Sequence, residues 1–231
     1  MEQELIKHTE NIIEAAKEPK HGFWKTFREI FLEIAIIVFA VTISIWFHNI
    51  ADHRHENREA RKFLIGLKED LTNDIAALQS NRSVITKLES NYKYILSHAD
   101  KNAPDSVIAG LLYFDLRVTR PTIGRYEGFK SSGKIESIEN DSIKENILKF
   151  YHQVIPTLVY GENFVNDVQL KILDLRVNSN EQQSTIEFVN IFRTKALLSL
   201  GAQNYAVNIE GYNEAIKIAG DIIAQIDEEM K

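Results

Sequence analysis

The sequence predicts an all-α protein in which an N-terminal transmembrane helix continues into a long helix of an extramembrane helical bundle. Three observations support this fold class. Residues 31–51 form an apolar run long enough to cross a bilayer. Residues 52–97 contain no proline and repeat apolar side chains with heptad spacing. The whole chain has only 4 Pro and 10 Gly, which favours helices over a fold rich in turns.

The apolar run predicts a membrane anchor. Between residues 34 and 51 no side chain is charged at neutral pH, apart from whatever charge His48 carries. A bilayer core about 30 Å thick needs about 20 helical residues, so the run has the length of one span. It is longer than the apolar part of a signal peptide, and no small-x-small cleavage site follows it. A buried core helix is the alternative, but such a long apolar run is unusual in a soluble protein.

Two tryptophans are predicted to anchor the span at the two membrane interfaces. In a continuous helix Trp24 and Trp46 lie about 33 Å apart, at 1.5 Å per residue. This separation suits an aromatic belt on each side of a bilayer. Basic residues are equally frequent before and after the span, so the positive-inside rule does not orient it. The short head favours a cytoplasmic N-terminus with the long C-terminal part outside.

The span divides the chain into three predicted parts. Residues 1–28 form a short head, in which residues 2–17 can make an amphipathic helix. Residues 29–51 form the transmembrane helix. Residues 52–231 form the α-helical bundle domain, which is long enough for one substantial core.

The first helix of the bundle is predicted to cover residues 52–97. Its apolar residues occupy a and d positions of one heptad frame, and they are Leu64, Leu67, Leu71, Leu78, Ile85, Leu88, Tyr92 and Ile95. Asp74 and Asn81 stand at two d positions of the same frame. The pattern therefore indicates either an imperfect coiled coil or the long first helix of a bundle, and we favour the bundle.

Shorter helices are predicted over residues 106–118 and 125–132. Residues 98–105 and the region of Pro121 separate them as breaks. Gly133 stands where a left-handed residue closes the second of these helices. The next helix is predicted to begin with Asp141 or Ser142 as its cap and to run to about residue 176, with Pro156 as a kink or break.

The C-terminal part of the bundle is predicted from one capping signal and one glycine. Ser184 and Glu187 form a capping box that opens a helix after the polar loop at residues 177–183. Gly201 is expected to interrupt this helix, and residues 202–229 are expected to form the last long one.

Composition narrows the classes of function. The net charge of −6 gives no electrostatic basis for binding nucleic acid. The chain has no cysteine, which excludes disulfides, thiolate zinc sites and a cysteine nucleophile. No Ser-His-Asp order, paired catalytic carboxylates or metalloprotease motif stands out, so we predict no catalytic residues, no cofactor and no enzyme activity.

Two segments carry a resemblance to a known family. The first is FLEIAIIVFAVTISIWFHNIADHRHENREARKFLIGLKEDL at residues 31–71, and the second is RYEGFKSSGKIESIENDSIKENILKFYHQ at residues 125–153. They resemble a family of uncharacterised single-pass membrane proteins found mainly in Bacteroidota. Members share a glutamate just inside an Ile/Val-rich span and an SSGK block before a helix with a terminal aromatic pair. The resemblance implies a bacterial inner-membrane protein with a cytoplasmic N-terminus and a periplasmic helical domain, and it implies no activity.

One face of the span is a candidate packing surface. On a helical wheel Glu33, Ile37, Ala40 and Ser44 share this face, with His48 at its edge. Ala40 and Ser44 form a small-xxx-small pair that allows two helices to approach closely. An acid inside a span commonly faces protein or water, so Glu33 is a candidate partner within this face. The alternative is that Glu33 snorkels to the near interface.

Two further motifs have simpler structural explanations. His48, Asp52, His55 and Glu59 share a helical stripe of metal-ligand types, but a solvated face beside the membrane is the better explanation, and we predict no metal site. Residues 128–134 match the first part of a phosphate-binding GxxxxGK loop. Because Ile135 replaces the required Ser or Thr and no core strand precedes the motif, a helix ended by Gly133 is favoured.

The sequence favours a membrane-anchored scaffold or accessory subunit that acts through protein–protein interaction. Its predicted partners are the lipid bilayer and either further copies of itself or another membrane protein. The alternative is a membrane-tethered periplasmic ligand sensor that signals through a partner. A buried polar cavity in the bundle would favour the sensor, and an exposed apolar patch would favour the scaffold.

Overall fold

Helix α1, His21–His98, contains both the predicted span and the predicted first helix of the bundle. The computed structural model describes residues 21–100, 103–180 and 182–231, without the side chains of residues 21–26, 29 and 33. The amphipathic helix predicted for residues 2–17 lies outside the described residues. The chain divides into two compact units, Met1–His55 and Glu56–Lys231.

The described part of the first unit is a single apolar helix. One helix of the described residues is long and apolar enough to cross a membrane, and its most apolar window has a mean hydropathy of 2.5 with 0% of it buried. The Thr42 hydroxyl donates to the backbone carbonyl of Val38 over 2.7 Å, so this polar group is satisfied within the helix. Length and composition are therefore those of a helix that could cross a membrane.

The second unit adds further helices to the C-terminal part of α1. They are α2 (Asp105–Leu111), α3 (Gly124–Ser131), a 3-10 turn (Lys134–Ser137), α4 (Asp141–Lys149), a π-helical turn (Phe150–Val154), α5 (Ile155–Val177), α6 (Thr185–Asn190) and α7 (Phe192–Glu229). Every regular element among the described residues is helical, which confirms the all-α fold class.

The core of the bundle lies between α1, α5 and α7. All eight heptad positions predicted on α1 are buried, with exposed fractions between 0% and 4%. Helix α7 contributes a second stripe at spacings of three, four and seven residues: Leu198, Tyr205, Tyr212, Ala215, Ala219, Ile222 and Ile226. These stripes face one another because burial of one apolar face on each helix is what stabilises a bundle.

Residues 112–123 join α2 to α3 without regular secondary structure, and we call this segment the strap. The prediction of a helix over residues 106–118 is therefore wrong beyond Leu111, where α2 ends. The contacts of the strap with α1 run from Asn91, opposite Leu111, to Asp74, opposite Thr122, which is a rise of about 26 Å along α1. A helix from residue 111 to residue 122 would rise only about 17 Å and would fall short of this distance. More extended backbone, at up to about 3.3 Å per residue, covers it.

Most helix boundaries have a visible local cause. Gly133 has φ +75°, the left-handed conformation predicted for the residue after α3. Ser184 and Glu187 form the predicted capping box. The cap of α4 is Asn140 instead of Asp141 or Ser142, because the Asn140 side chain accepts from the two amides that follow Asp141. The π-helical turn stands immediately before α5, whose second residue is Pro156, so the expected distortion lies there.

Gly201 does not interrupt the last helix, because α7 runs through it from Phe192 to Glu229. A Cβ atom at Gly201 would lie 2.8 Å from Cε2 of the buried Tyr92 ring on α1. The glycine therefore serves close packing between α7 and α1 instead of ending a helix. By contrast, a Cβ atom at Gly220 would meet nothing within 4 Å.

We expect opposite effects from alanine at these two glycines of α7. Gly201→Ala should lower the free energy of unfolding by about 1–2 kcal/mol, because overpacking against Tyr92 outweighs the gain in helix propensity. Gly220→Ala should raise it by about 0.5–1 kcal/mol through propensity alone. Urea unfolding of the full chain in detergent, followed by circular dichroism, measures both. Equal effects of the two substitutions would contradict the packing role of Gly201.

Candidate functional site

The predicted packing face of the span is uncovered in the single chain. Ile37, Ala40, Ser44 and His48 are all exposed, and His48 Nε2 lies 3.3 Å from an Asp52 carboxylate oxygen. Glu33 lies within α1, but its side chain is outside the described residues. Packing of this face against a second helix therefore remains a prediction.

The predicted interface anchors are Trp24 and Trp46. Trp46 is 58% exposed, and its ring meets the Phe47 ring edge-on with centroids 5.2 Å apart. Trp24 lies in α1, and its side chain is outside the described residues. Their role at the two interfaces stays a prediction.

The stripe of His48, Asp52, His55 and Glu59 and the GxxxxGK-like segment form no ligand site among the described residues. No group of three potential ligand side chains is arranged to hold a metal within the described ranges. Glu59, one member of the predicted stripe, pairs with Lys134 at 2.7 Å. Lys134 is the lysine of the GxxxxGK-like segment, so the structure gives it an ion pair with Glu59.

The most elaborate polar arrangement in the bundle holds the strap against α5. Gln169 accepts from the Asp115 amide (2.9 Å) and donates to the Asp115 carbonyl (3.2 Å). Asn166 accepts from the Arg117 amide (3.2 Å) and donates to the Arg117 carbonyl (2.7 Å). Opposite residues of an antiparallel sheet exchange the same pair of hydrogen bonds. Two side-chain amides of α5 thus take the place of a neighbouring strand.

Glu162, one turn earlier on α5, makes a third set of contacts with the strap. We call the contacts of Gln169, Asn166 and Glu162 with the strap the polar ladder. Glu162 is fully buried, and its carboxylate accepts from the Thr119 amide and the Thr119 hydroxyl, each over 2.6 Å. The hydroxyl of Tyr212 on α7 donates to the same carboxylate. Burial and the hydrogen bond to Glu162 raise the pKa of Tyr212, so it remains a donor at physiological pH. One carboxylate therefore joins the strap, α5 and α7.

Helix α1 holds the other side of the strap. Asn91 donates to the Leu111 carbonyl over 3.1 Å at the beginning, and Asp74 accepts from the Thr122 amide (3.0 Å) and hydroxyl (3.0 Å) near the end. Asn81 donates to the Thr119 hydroxyl over 3.4 Å. The two polar d positions of the heptad, Asp74 and Asn81, thus serve the strap, which explains why they are not apolar.

The sequence carries a signal for these contacts in the spacing of polar residues on α5, although no motif points to it. Glu162, Asn166 and Gln169 follow one another at spacings of four and three residues on the buried face of α5. Polar side chains at core positions of a helix require partners, because a buried polar group without a hydrogen bond is costly. Three such residues in one helix therefore indicate a polar element packed against it.

A second notable feature is an open groove between α5 and α7, with a volume of about 600 Å³. Its walls include Tyr160, Phe164 and Val207, which are 76%, 37% and 65% exposed. Gly161 and Gly211 lie in the groove. Lys149, Glu210 and Glu214 lie among its lining residues, and Lys149 Nζ is 3.8 Å from a Glu214 carboxylate oxygen. The groove is thus an apolar surface bordered by both signs of charge.

These features define a class: an all-helical bundle protein with one helix able to span a membrane and a polar ladder in place of one bundle helix. The model of a family of unknown function, DUF6090, matches residues 33–198. Because the match covers well over half of the chain, the protein belongs to the DUF6090 family. No curated protein and no solved structure matches the chain. The resemblance to an uncharacterised family is thereby confirmed, while its membrane and Bacteroidota attributes stay predictions.

We expect Glu162→Leu to destabilise the bundle strongly. The substitution leaves three buried donors without an acceptor, at a cost of roughly 1–3 kcal/mol each, so the free energy of unfolding should fall by about 3 kcal/mol or more. Glu162→Gln keeps one carbonyl acceptor and should cost less. Urea unfolding gives the loss, and hydrogen exchange at the Thr119 amide shows whether the strap is released. Asp167→Leu, at an exposed position of α5, is the control, and an equal loss there would contradict the role of Glu162.

The strap also predicts a dependence of stability on pH through Asp74. Burial raises the pKa of the Asp74 carboxyl above its ordinary value, the hydrogen bonds from Thr122 oppose this shift, and nearby Asp70 adds to it. A carboxyl with a raised pKa in the folded state contributes stability at low pH that is lost as the pH rises through that pKa. Asp74→Asn should remove this loss and match or exceed the wild-type stability at pH 7. Unfolding free energies of both proteins across the acid range test this, and identical pH curves would contradict it.

Proposed function

We propose that the protein is a membrane-anchored helical-bundle scaffold or accessory subunit that acts through protein–protein interaction and performs no catalysis. The observation that carries this proposal is the apolar surface that the described chain leaves uncovered. It comprises the apolar window of α1, of which 0% is buried, and the groove between α5 and α7. Apolar surface of this kind on a folded protein marks contact with lipid or with another protein.

The anchoring half of the proposal rests on α1. The apolar window of α1, which has a mean hydropathy of 2.5 and no protein cover, is stabilised in a bilayer, since transfer of apolar side chains out of water is favourable. We place it as a single span in the bacterial inner membrane, with the N-terminus cytoplasmic and the bundle periplasmic. Its predicted packing face contains Ala40 and Ser44, whose small side chains allow close packing against another span.

The proposed protein–protein interaction is supported by apolar side chains exposed on the bundle surface. Tyr160 and Val207 expose large apolar side chains although helix positions facing solvent are ordinarily polar. A ligand sensor, the second candidate, needs an enclosed cavity of the size of a small molecule. The cavity beside the buried polar cluster of the strap measures about 20 Å³, which holds about one water molecule. The scaffold is therefore the better-supported function.

Purification from native membranes tests the proposal. We expect the full chain to remain in the membrane pellet after alkaline carbonate extraction and to leave it when Ile37→Arg and Phe39→Arg are introduced together, because charges at the centre of a span are costly. In mild detergent the wild-type chain should elute in an assembly of fixed stoichiometry. A chain extracted by carbonate, or a lone monomer at native expression, would overturn the anchored scaffold.

The absence of cysteine allows a clean test of orientation within the same cells. A single cysteine at the exposed Val177 should react with a maleimide that cannot cross the inner membrane, once the outer membrane is permeabilised. Protection of this cysteine until the inner membrane is broken would place the bundle in the cytoplasm.

A further inference from the structure

The groove between α5 and α7 combines projections and a depression on one face. Tyr160 and Val207 project into solvent, with exposed fractions of 76% and 65%. The open groove of about 600 Å³ forms the depression, and Gly161 and Gly211 lie among its lining residues. The two helices approach closely there: a Cβ atom at Gly161 would overlap the Asn208 side chain, which donates to the Gly161 carbonyl over 3.0 Å.

The charges of this face are also mixed. Lys149, Glu210 and Glu214 lie among the lining residues, whereas the whole chain carries a net charge of −6. The Lys149–Glu214 separation of 3.8 Å, with both side chains about half exposed, leaves both groups accessible to a partner. Lys149 of one copy can pair with an acidic side chain of the other, which offsets part of the repulsion between two acidic molecules.

We propose that the groove between α5 and α7 binds the same groove of a second copy of this chain. A twofold interface pairs one patch with itself, so the patch must be complementary to its own surface. This face meets that requirement because it carries both projections and a depression, and both a basic and acidic side chains. Anchoring in one membrane, as proposed above, raises the effective concentration of copies and supports an interface of modest size.

Helix α5 supplies a matched pair of positions for the test. Val177 is 75% exposed, nearly the same as Tyr160, yet it lies about 160° around the helix from Gly161, at 100° per residue. Glutamate at Tyr160 or Val207 places a charge in the groove, whereas glutamate at Val177 places it on the other side of α5. The span is unchanged in all three variants, so it contributes equally to any association.

The experiment measures self-association of the full chain in mild detergent by analytical ultracentrifugation. We expect Tyr160→Glu and Val207→Glu each to weaken dimerisation by about tenfold or more, because a buried unpaired charge is costly at an interface, and Val177→Glu to leave it unchanged. Circular dichroism identifies any variant that fails to fold. A wild-type monomer, or equal behaviour of the groove and control variants, would overturn the inference.

A second measurement does not depend on destabilising variants. In the cysteine-free chain, a single Val207→Cys should react with maleimide more slowly as the protein concentration rises, while Val177→Cys should react at a constant rate. Equal rates at every concentration would also overturn the inference. The inference rests on the proposed function, but different results would overturn the inference and the proposed function. If Tyr160→Glu leaves the stoichiometric assembly with a different protein intact, the scaffold stands and the second copy is not the occupant of the groove.

Discussion

The buried carboxylate of Glu162 links the strap, α5 and α7 of this bundle. Glu162 is fully buried and receives hydrogen bonds from the backbone and side chain of Thr119 and from Tyr212. A charged carboxylate without partners would be strongly unfavourable there, since the free energy of desolvating a charge is far larger than a single hydrogen bond can offset. Its three donors come from two different elements, so the strap and α7 must both be in place. The positions of the strap, α5 and α7 are therefore set together.

The strap shows how a segment without regular secondary structure can replace a helix in a bundle. A helical return from Asn91 to Asp74 of α1 would need about 17 residues, more than separate α2 from α3, because a helix rises only about 1.5 Å per residue. More extended backbone covers the distance but leaves its amides and carbonyls without internal partners. The side chains of Gln169 and Asn166 supply those partners from the neighbouring helix. A connection this short therefore requires polar residues in the core that can bond to its backbone.

The sequence predicted those parts of the fold that depend on local chemistry or strict periodicity. The heptad on α1, the left-handed Gly133 and the Ser184 capping box all belong to this group. The strap was not predicted, because Leu111 to Val118 has helical apolar content and the distance to be covered depends on tertiary structure. The role of Gly201 cannot be predicted from the sequence for the same reason, since only the position of Tyr92 shows why a glycine is needed. The groove between α5 and α7 likewise required two helices to be placed side by side.

The strap has a consequence for the order in which the chain folds. Thr119 meets Glu162 across 43 residues of sequence, and Glu162 meets Tyr212 across 50. Neither contact is local, so each requires closure of a long loop before it stabilises anything. During synthesis the strap emerges before α5, so the backbone groups of Asp115, Arg117 and Thr119 must remain hydrated until α5 has formed. The Tyr212 hydrogen bond to Glu162 is added later still, once α7 has been made.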